Sequence, residues 1–539
     1  MTGSQPSDRD LAKIRPRADT IQLSRGRTAF VSDQSGVIHA EEPIHGLCLY
    51  ETRVLSGYRW LMNGQTPEFS CGSNIFQASW MGYYIQAPKN CKETPTGECN
   101  PLQETVELRL KRAVGEGMHE DVQLTNHTQI ATTVKLELEF KHQFVSREEV
   151  KNGRKQHGQL ESEWSKPQPN VWELMTEYRA ENHYNHQGNE GTAKLHRGIK
   201  LRIENTTSAP EYSDNRICFH VKLEAHGKWR DCLSWLGYIE GRLLPLAADC
   251  PLIHSGASEW DERRIRFFNS ATVTTVPHAD DLTSVVNRVL RRARVDLGDL
   301  RLYDLDGPGG FTVAAGVPTY MELFGRDTEA ASWQASMLSQ KLMRGTLDVL
   351  SKLPASEKSD WRDAEPGRIP NEMHTDPLAV LNYSPQALYF GSVSSCFLFP
   401  ICLAEFWHWT GDLNCIRGYV DAAMGSLKWA DTYSLDSTHF YRYQTHSEQG
   451  IKNQGWKDSK DAIVYPDGSQ AETPIGTCEM QAFMYVAKLH FSEVLWWLGE
   501  TDAARRLYQE AEELKSRFNE KFWMEEEGYY ALGIDSKGN

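Results

Sequence analysis

Apolar and polar residues alternate strictly over two stretches in the first half of the chain. Val106, Leu108 and Leu110 are spaced by charged residues, and Val134, Leu136, Leu138 and Phe140 repeat the pattern. A period of two sends successive side chains to opposite faces, so both stretches predict strands with one buried face. Turn-prone clusters, Gly115-Glu116-Gly117 and Thr125-Asn126-His127-Thr128, punctuate them. Residues 217–225 predict a further strand. Residues 146–197 are rich in Lys, Gln, Glu, Asn and His and are expected as long exposed loops. The simplest architecture is an antiparallel β-sandwich over residues 21–275, preceded by a disordered tail over residues 1–20.

Near residue 280 the period changes. Leu282, Val286, Val289 and Leu290 return at helical spacing, as do Met337, Leu338, Leu342 and Leu350, and then Ile416, Val420, Met424 and Leu427. Met480, Phe483, Met484, Ala487 and Leu498 mark a long helix closed by Gly499. Thr501 and Asp502 predict the cap of the next, which carries Leu507, Ala511, Leu514, Phe518 and Phe522. These stripes read as helix–helix packing. Polar loops at 361–377 and 450–474 separate them, and loops of that length in a helical domain tend to carry function. Residues 276–539 therefore predict a ring of helices with a site at the loop end.

Composition narrows the chemistry. A chain of 539 residues suggests two or three domains. The net charge of −15 argues against nucleic-acid and anionic-membrane partners and suits a neutral substrate such as a carbohydrate. The N-terminus lacks an apolar secretory core, and no apolar run is long enough to span a bilayer. The 11 cysteines are an odd number without a CxxC. Cys91 and Cys99 are near neighbours, but reduced thiols and a cytoplasmic location are expected. No metal-ligand spacing, GxGxxG, Walker loop or GxSxG elbow is present, so neither cofactor nor metal is expected.

Two polar islands offer chemistry. In Asn453-Gln454-Gly455-Trp456-Lys457-Asp458-Ser459 an indole stands beside a carboxylate. The ring offers an apolar face to pyranose C–H groups, and its bulk desolvates the carboxyl, which favours the protonated form a general acid needs. Asp458 equally suits a helix N-cap or a turn. In Phe324-Gly325-Arg326-Asp327-Thr328, Arg326 and Asp327 form either a structural pair at a helix start or a fork matched to vicinal sugar hydroxyls. Glu479, Glu372 and His374 read first as satisfied core or rim residues, and residues 362–368 as a charged turn.

At these residues the chain resembles the bacterial and fungal amylo-α-1,6-glucosidase (glycogen-debranching-like) family. Residues Gly46-Leu47-Cys48-Leu49-Tyr50-Glu51-Thr52-Arg53-Val54-Leu55-Ser56 are similar to the family's GLF-x-x-DTR-x-LS, with Glu51 in place of the usual Asp. Further resemblance lies in residues 322–328, Glu365-Pro366-Gly367-Arg368-Ile369, residues 453–459, Asp467-Gly468, Pro474-Ile475 and Glu479-Met480-Gln481. It covers almost the whole chain beyond about residue 20. The resemblance implies a β-rich N-terminal domain followed by an (α/α)6 toroid, and inverting hydrolysis that releases glucose from α-glucans or α-glucosides. It implies Asp458 as general acid with Trp456 beside it, Arg326 and Asp327 holding hydroxyls of the cleaved glucose, and Glu479 and Gln481 as further substrate-binding residues.

Two departures qualify that expectation. In Tyr389-Phe390-Gly391-Ser392-Val393-Ser394-Ser395-Cys396, Ser394 replaces the Asp that relatives usually carry. The chain closes on Asp535-Ser536-Lys537-Gly538-Asn539, at the turn of a hairpin, and the roughly 260 residues from 280 hold only part of a twelve-helix ring. The family's general-base Glu is expected beyond residue 539. The chain thus reads as a fragment or truncated gene product; if the polypeptide ends there, poor stability and no hydrolysis are expected. Another α-glycoside-cleaving enzyme on the same scaffold, such as a uronoside lyase or an α-glycosidase for small glycosides, and a non-catalytic carbohydrate-binding protein are the alternatives.

Overall fold

The computed structural model describes residues 20–86, 105–204, 206–246, 259–273, 281–303 and 311–538. Residues 1–19 of the expected tail, and Cys91 and Cys99, lie outside the described residues. In chain order the strands are β1 Thr20–Arg25, β2 Thr28–Asp33, β3 Gly46–Leu49, β4 Thr52–Met62, β5 Glu68–Phe76, β6 Ser79–Gln86, β7 Val106–Val114 and β8 Gly117–Asn126. There follow β9 Thr132–Val145, β10 Gly158–Gln168, β11 Val171–His186, β12 Asn189–Glu204, β13 Glu211–Ser213, β14 Arg216–Leu223 and β15 Lys228–Ile239. They form two antiparallel sheets, ordered β1-β2-β3-β4-β9-β14-β13 and β10-β11-β12-β15-β8-β7-β6-β5.

The alternating residues do what their period predicts. Leu108 and Leu110 of β7 and Val134, Leu136, Leu138 and Phe140 of β9 enter one apolar core shared by both sheets. Each such buried side chain contributes roughly 1.5–3 kcal/mol. That core also holds a charge. Glu120 of β8 is fully buried and accepts from Arg112 Nε at 2.7 Å, from Trp60 Nε1 at 3.1 Å and from the Tyr58 hydroxyl. The Arg112 guanidinium sits 5.0–5.2 Å from the Phe30, Tyr58 and Trp80 ring centroids. Glu120 and the groups that donate to it are thus mutually satisfied, although the Trp80 indole nitrogen beside them has no partner; such pairing is the condition for burying a charge at tolerable cost.

The segment 146–197 is not loop. A short helix, α1 Arg147–Asn152, opens it with a capping box between Ser146 and Glu149. The strands β10, β11 and β12 then pair continuously, from Gly158↔Ala180 through His186↔Asn189. The polar composition arises because the strands overhang the sandwich and only alternate positions, such as Leu174, Tyr178, Leu195 and Ile199, reach its core. The overhang grips the helical region instead. The His186 ring stacks on Trp361 at 4.1 Å, Asn182 Nδ2 donates to Leu381 O at 2.8 Å, and Gln187 Nε2 donates to His446 O at 2.8 Å.

Helices follow: α2 Glu259–Ser270, α3 Asp281–Asp299, α4 Gly325–Gln334, α5 Gln340–Leu350, α6 Pro377–Val380, α7 Ser394–Thr410, α8 Leu413–Ile416, α9 Val420–Trp429, α10 Cys478–Leu498 and α11 Thr501–Phe522. The helix α2 falls inside the range expected for the sandwich, whose strands end with the two-residue Arg242–Leu243 pairing beside β15. The helix α7 is the hub and packs on α4, α5, α9 and α10. Gly499, at φ 91°, closes α10 as expected, whereas α11 begins after Glu500 with no side-chain cap. Near the end of the described residues, Trp523–Met524 pairs with Tyr529–Tyr530 and Gly533–Ile534 returns to Gly476–Thr477. Among the described residues no helix is long and apolar enough to cross a membrane.

Candidate active site at the mouth of α4

Phe324 pairs with Glu372 across a two-residue ladder, and Gly325 N donates to Asn371 O at 2.7 Å as the chain turns into α4. Only glycine fits at 325, where an added Cβ would stand 2.3 Å from Pro370 O and 2.7 Å from Ser395 Oγ. The N-cap of α4 is Phe324, without a side-chain cap bond, so Asp327 lies in the first turn and is not the cap. Its charge still complements the helix N-terminus.

The two polar islands meet here. Arg326 Nη2 donates to Asp458 Oδ2 at 2.9 Å, and Nη1 donates to the carbonyls of Gly455 at 3.1 Å and Trp456 at 3.2 Å. The guanidinium lies 5.5 Å from the Trp456 ring centroid, and Phe483 of α10 abuts that ring at 5.8 Å. Arg326 Nε reaches Asp327 at only 3.7 Å, so the main partner of Arg326 is the distant Asp458 and not its sequence neighbour. The Asp458 side chain remains 41% exposed. Trp456 therefore faces the arginine and does not shield the carboxyl, as its spacing had suggested. Burial pushes the Asp327 carboxyl above the usual carboxylate range; Arg326 pulls it back, and the Asp458 charge adds to the rise.

Glu479 and Gln481, paired in expectation, separate in role. Glu479 stands in the first turn of α10 behind the loop, with its Oε1 3.2 Å from where a Cβ on Gly455 would be. That oxygen is buried with no hydrogen-bond partner, so it is open to a donor. Gln481 corrects the expectation of a substrate ligand. It is 1% exposed, and its amide accepts from Tyr441 N at 3.0 Å and donates to Tyr441 O at 2.7 Å and Thr477 O at 3.3 Å. Those bonds tie α10 to the 441 segment, use both amide N–H groups, and leave the remaining oxygen lone pair buried.

Sequence reasoning passed over the residue that organises the loops. Asp363, 1% exposed and at φ 49°, accepts from Tyr389 Oη at 2.6 Å, Thr445 Oγ1 at 2.8 Å, His446 N at 2.5 Å, Ser447 N at 3.1 Å and Gln454 Nε2 at 3.0 Å. Arg368 completes the knot, donating to Asp363 O, to Glu365 Oε2 and to Gln454 Oε1. The loop 445–454 that delivers Trp456 and Asp458 is thus fixed from beneath. Asn453 shapes the loop itself, donating to Ser459 O at 2.7 Å.

The Glu51 turn of the sandwich reaches the same region. Its carboxylate accepts from His374 Nδ1 at 2.8 Å and Thr375 N at 3.0 Å, while His374 Nε2 meets Glu372 at 3.2 Å and its ring abuts Phe324 edge-on at 5.3 Å. Burial opposes a charge on His374, but Glu51 and Glu372 outweigh it and push the imidazole up to about 11. Glu51, His374 and Asp376 are close enough to suggest a metal cluster, yet an imidazolium holding two carboxylates has no lone pair to give. A cavity of about 280 Å3 opens at this seam, lined by Arg27, Ile44, Glu51, Tyr320 and His374 among others, and not over Asp458.

Residues 23–234 match the family model for the N-terminal domain of (some) glycogen debranching enzymes. No curated protein matches the chain in sequence. Among solved structures, one described as a kojibiose phosphorylase from the human microbiome aligns over 95% of this chain and 69% of its own, at 9% identity and TM-score 0.52. A bacterial glucoamylase complexed with acarbose aligns over 94% of this chain and 67% of its own, at 9% identity and TM-score 0.43. At that identity the first likeness establishes fold alone.

Proposed function

We propose that this chain acts in the cleavage of α-glucosidic bonds, releasing glucose from α-glucans or α-glucosides by hydrolysis with inversion. The observation that carries the reading is the meeting of Arg326 and Asp458 at 2.9 Å, from loops 132 residues apart, beside a half-exposed tryptophan. The debranching-type sandwich supports the substrate class.

In this reading Trp456 receives the apolar face of a pyranose and the Arg326–Asp327 fork takes vicinal hydroxyls. Hydroxyls that engage Arg326 release Asp458 from its pair; the freed carboxylate takes up a proton from solvent and gives it to the glycosidic oxygen as the bond to the leaving group breaks. A water enters from the opposite face, its proton taken by a second carboxylate. Glu479 Oε1, buried and open to a donor, serves as an acceptor for a substrate hydroxyl.

Glucose release from glycogen limit dextrin, panose and isomaltose by the longest polypeptide the gene encodes, with and without inorganic phosphate, tests this. Glucose formed regardless of phosphate is expected. Glucose 1-phosphate formed only with phosphate would replace hydrolysis by phosphorolysis, and no release by folded protein would overturn the reading.

A further inference from the structure

Metal-ligand spacing is absent from the linear sequence, but strand pairing brings together groups more than a hundred residues apart. Asp121 and His119 lie two residues apart on β8, and β15 places Cys232 opposite Asp121 and Ser234 opposite His119. Residues i and i+2 of a strand, and the residue facing either, share one face of a sheet. The side chains of His119, Asp121 and Cys232 accordingly converge, with one ligand atom from each within 4.8 Å of the others. Cys232 Sγ is 3.3 Å from Asp121 Oδ1, and His119 Nε2 is 4.0 Å from the same oxygen.

The site is dry. His119 and Cys232 are 3% exposed and Asp121 is 5% exposed. His119 Nε2, turned toward Asp121, has no hydrogen-bond partner. An orphaned buried nitrogen costs roughly 1–3 kcal/mol and is rare in folded proteins. The groups are also held from outside: His119 Nδ1 meets Ser234 Oγ at 3.4 Å, and Arg230 Nη2 donates to both Asp121 oxygens at 3.0 Å, the Oδ1 that faces Cys232 included. Partners of this kind orient ligands in metal sites.

We propose that His119, Asp121 and Cys232 bind a divalent transition ion of the zinc class, in a site remote in sequence from the Asp458 loops. An imidazole, a thiolate and a carboxylate suit Zn2+, whereas Mg2+ and Ca2+ take oxygen ligands. Tetrahedral zinc holds such atoms roughly 3.3–3.8 Å apart, close to the 3.3 Å and 4.0 Å that separate Asp121 Oδ1 from Cys232 Sγ and His119 Nε2. On binding, the Cys232 thiol gives its proton to solvent and its sulfur bonds the ion in place of the hydrogen bond to Asp121. One thiolate and one carboxylate offset the ion's two charges, the Arg230 guanidinium beside Asp121 leaves the cluster one positive charge, and water takes the fourth position. The ion would clamp β8 to β15 through side chains.

Co2+ titration of the chelator-stripped full chain, read by absorbance, tests the site. One ion per chain with a thiolate-to-cobalt charge-transfer band, displaced by Zn2+, is the expected result. Cys232→Ser should lose the band and weaken binding tenfold or more, and Ser234→Ala should retain it. His119→Gln should abolish the rise in Tm that Zn2+ gives the native chain, which keeps the test decisive if Cys232→Ser does not fold. A folded native chain that binds no Co2+, or a band that survives in Cys232→Ser, would overturn the proposal.

Discussion

Glu120 and Asp458 are both carboxylates held by an arginine, and their surroundings could hardly differ more. Glu120 is sealed in the sandwich core, with Arg112, Tyr58 and Trp60 around it and aromatic rings about the guanidinium. Asp458 lies at a loop tip with one strong partner and two-fifths of its side chain open to water. A saturated carboxylate has nothing left to offer a ligand. An under-coordinated one, on a loop pinned from below by Asp363, keeps both reach and geometry. The contrast separates polar groups that specify a fold from those that carry chemistry.

The sharpest way to break the contrast is to remove a partner in the core. Glu120→Ala leaves Arg112 buried without its counter-ion and should cost about 3–5 kcal/mol of stability, read from denaturant midpoints. The next effect is a pH dependence of the same core. Burial lowers His142 from 6.5 to about 4, with Thr176 Oγ1 at 3.2 Å from its Nε2. The unfolded chain then binds a proton between those values that the folded chain refuses. Stability is complete above pH 6.5 and falls as pH drops toward 4, by order 2–3 kcal/mol. His142→Leu should flatten that slope in urea titrations at several pH values. The smallest effect belongs to the loop: Trp456→Ala should weaken sugar binding by about 1 kcal/mol while shifting stability by no more than about 0.5 kcal/mol, seen by calorimetry beside thermal unfolding.

Legibility followed the same divide. Where one face is buried, alternation reports it directly, as in β7 and β9. The strands β11 and β12 escaped because their overhanging ends are polar on both faces. The hub helix α7 escaped for the opposite reason: Phe397, Leu398, Phe399, Ile401, Cys402 and Leu403 bury it all round, so no amphipathic stripe exists to be seen. In the site, resemblance and spacing pointed to Arg326, Trp456 and Asp458, but their mutual contact arises from long-range folding. Asp363 looked like a turn residue because its five donors come from segments far along the chain. Gln481 looked polar enough to bind sugar, while its actual work is holding two backbone segments together. His119, Asp121 and Cys232 carry no spacing signal because a ladder between β8 and β15 unites them.

Asp458→Asn tests the central claim most directly, through glycoside turnover and thermal unfolding measured on the same preparation. A group that carries chemistry without specifying the fold should, when neutralised, lower turnover by roughly 10²–10⁴-fold and leave the melting temperature nearly unchanged. Turnover that persists, or a collapse in stability like that of Glu120→Ala, would contradict the account.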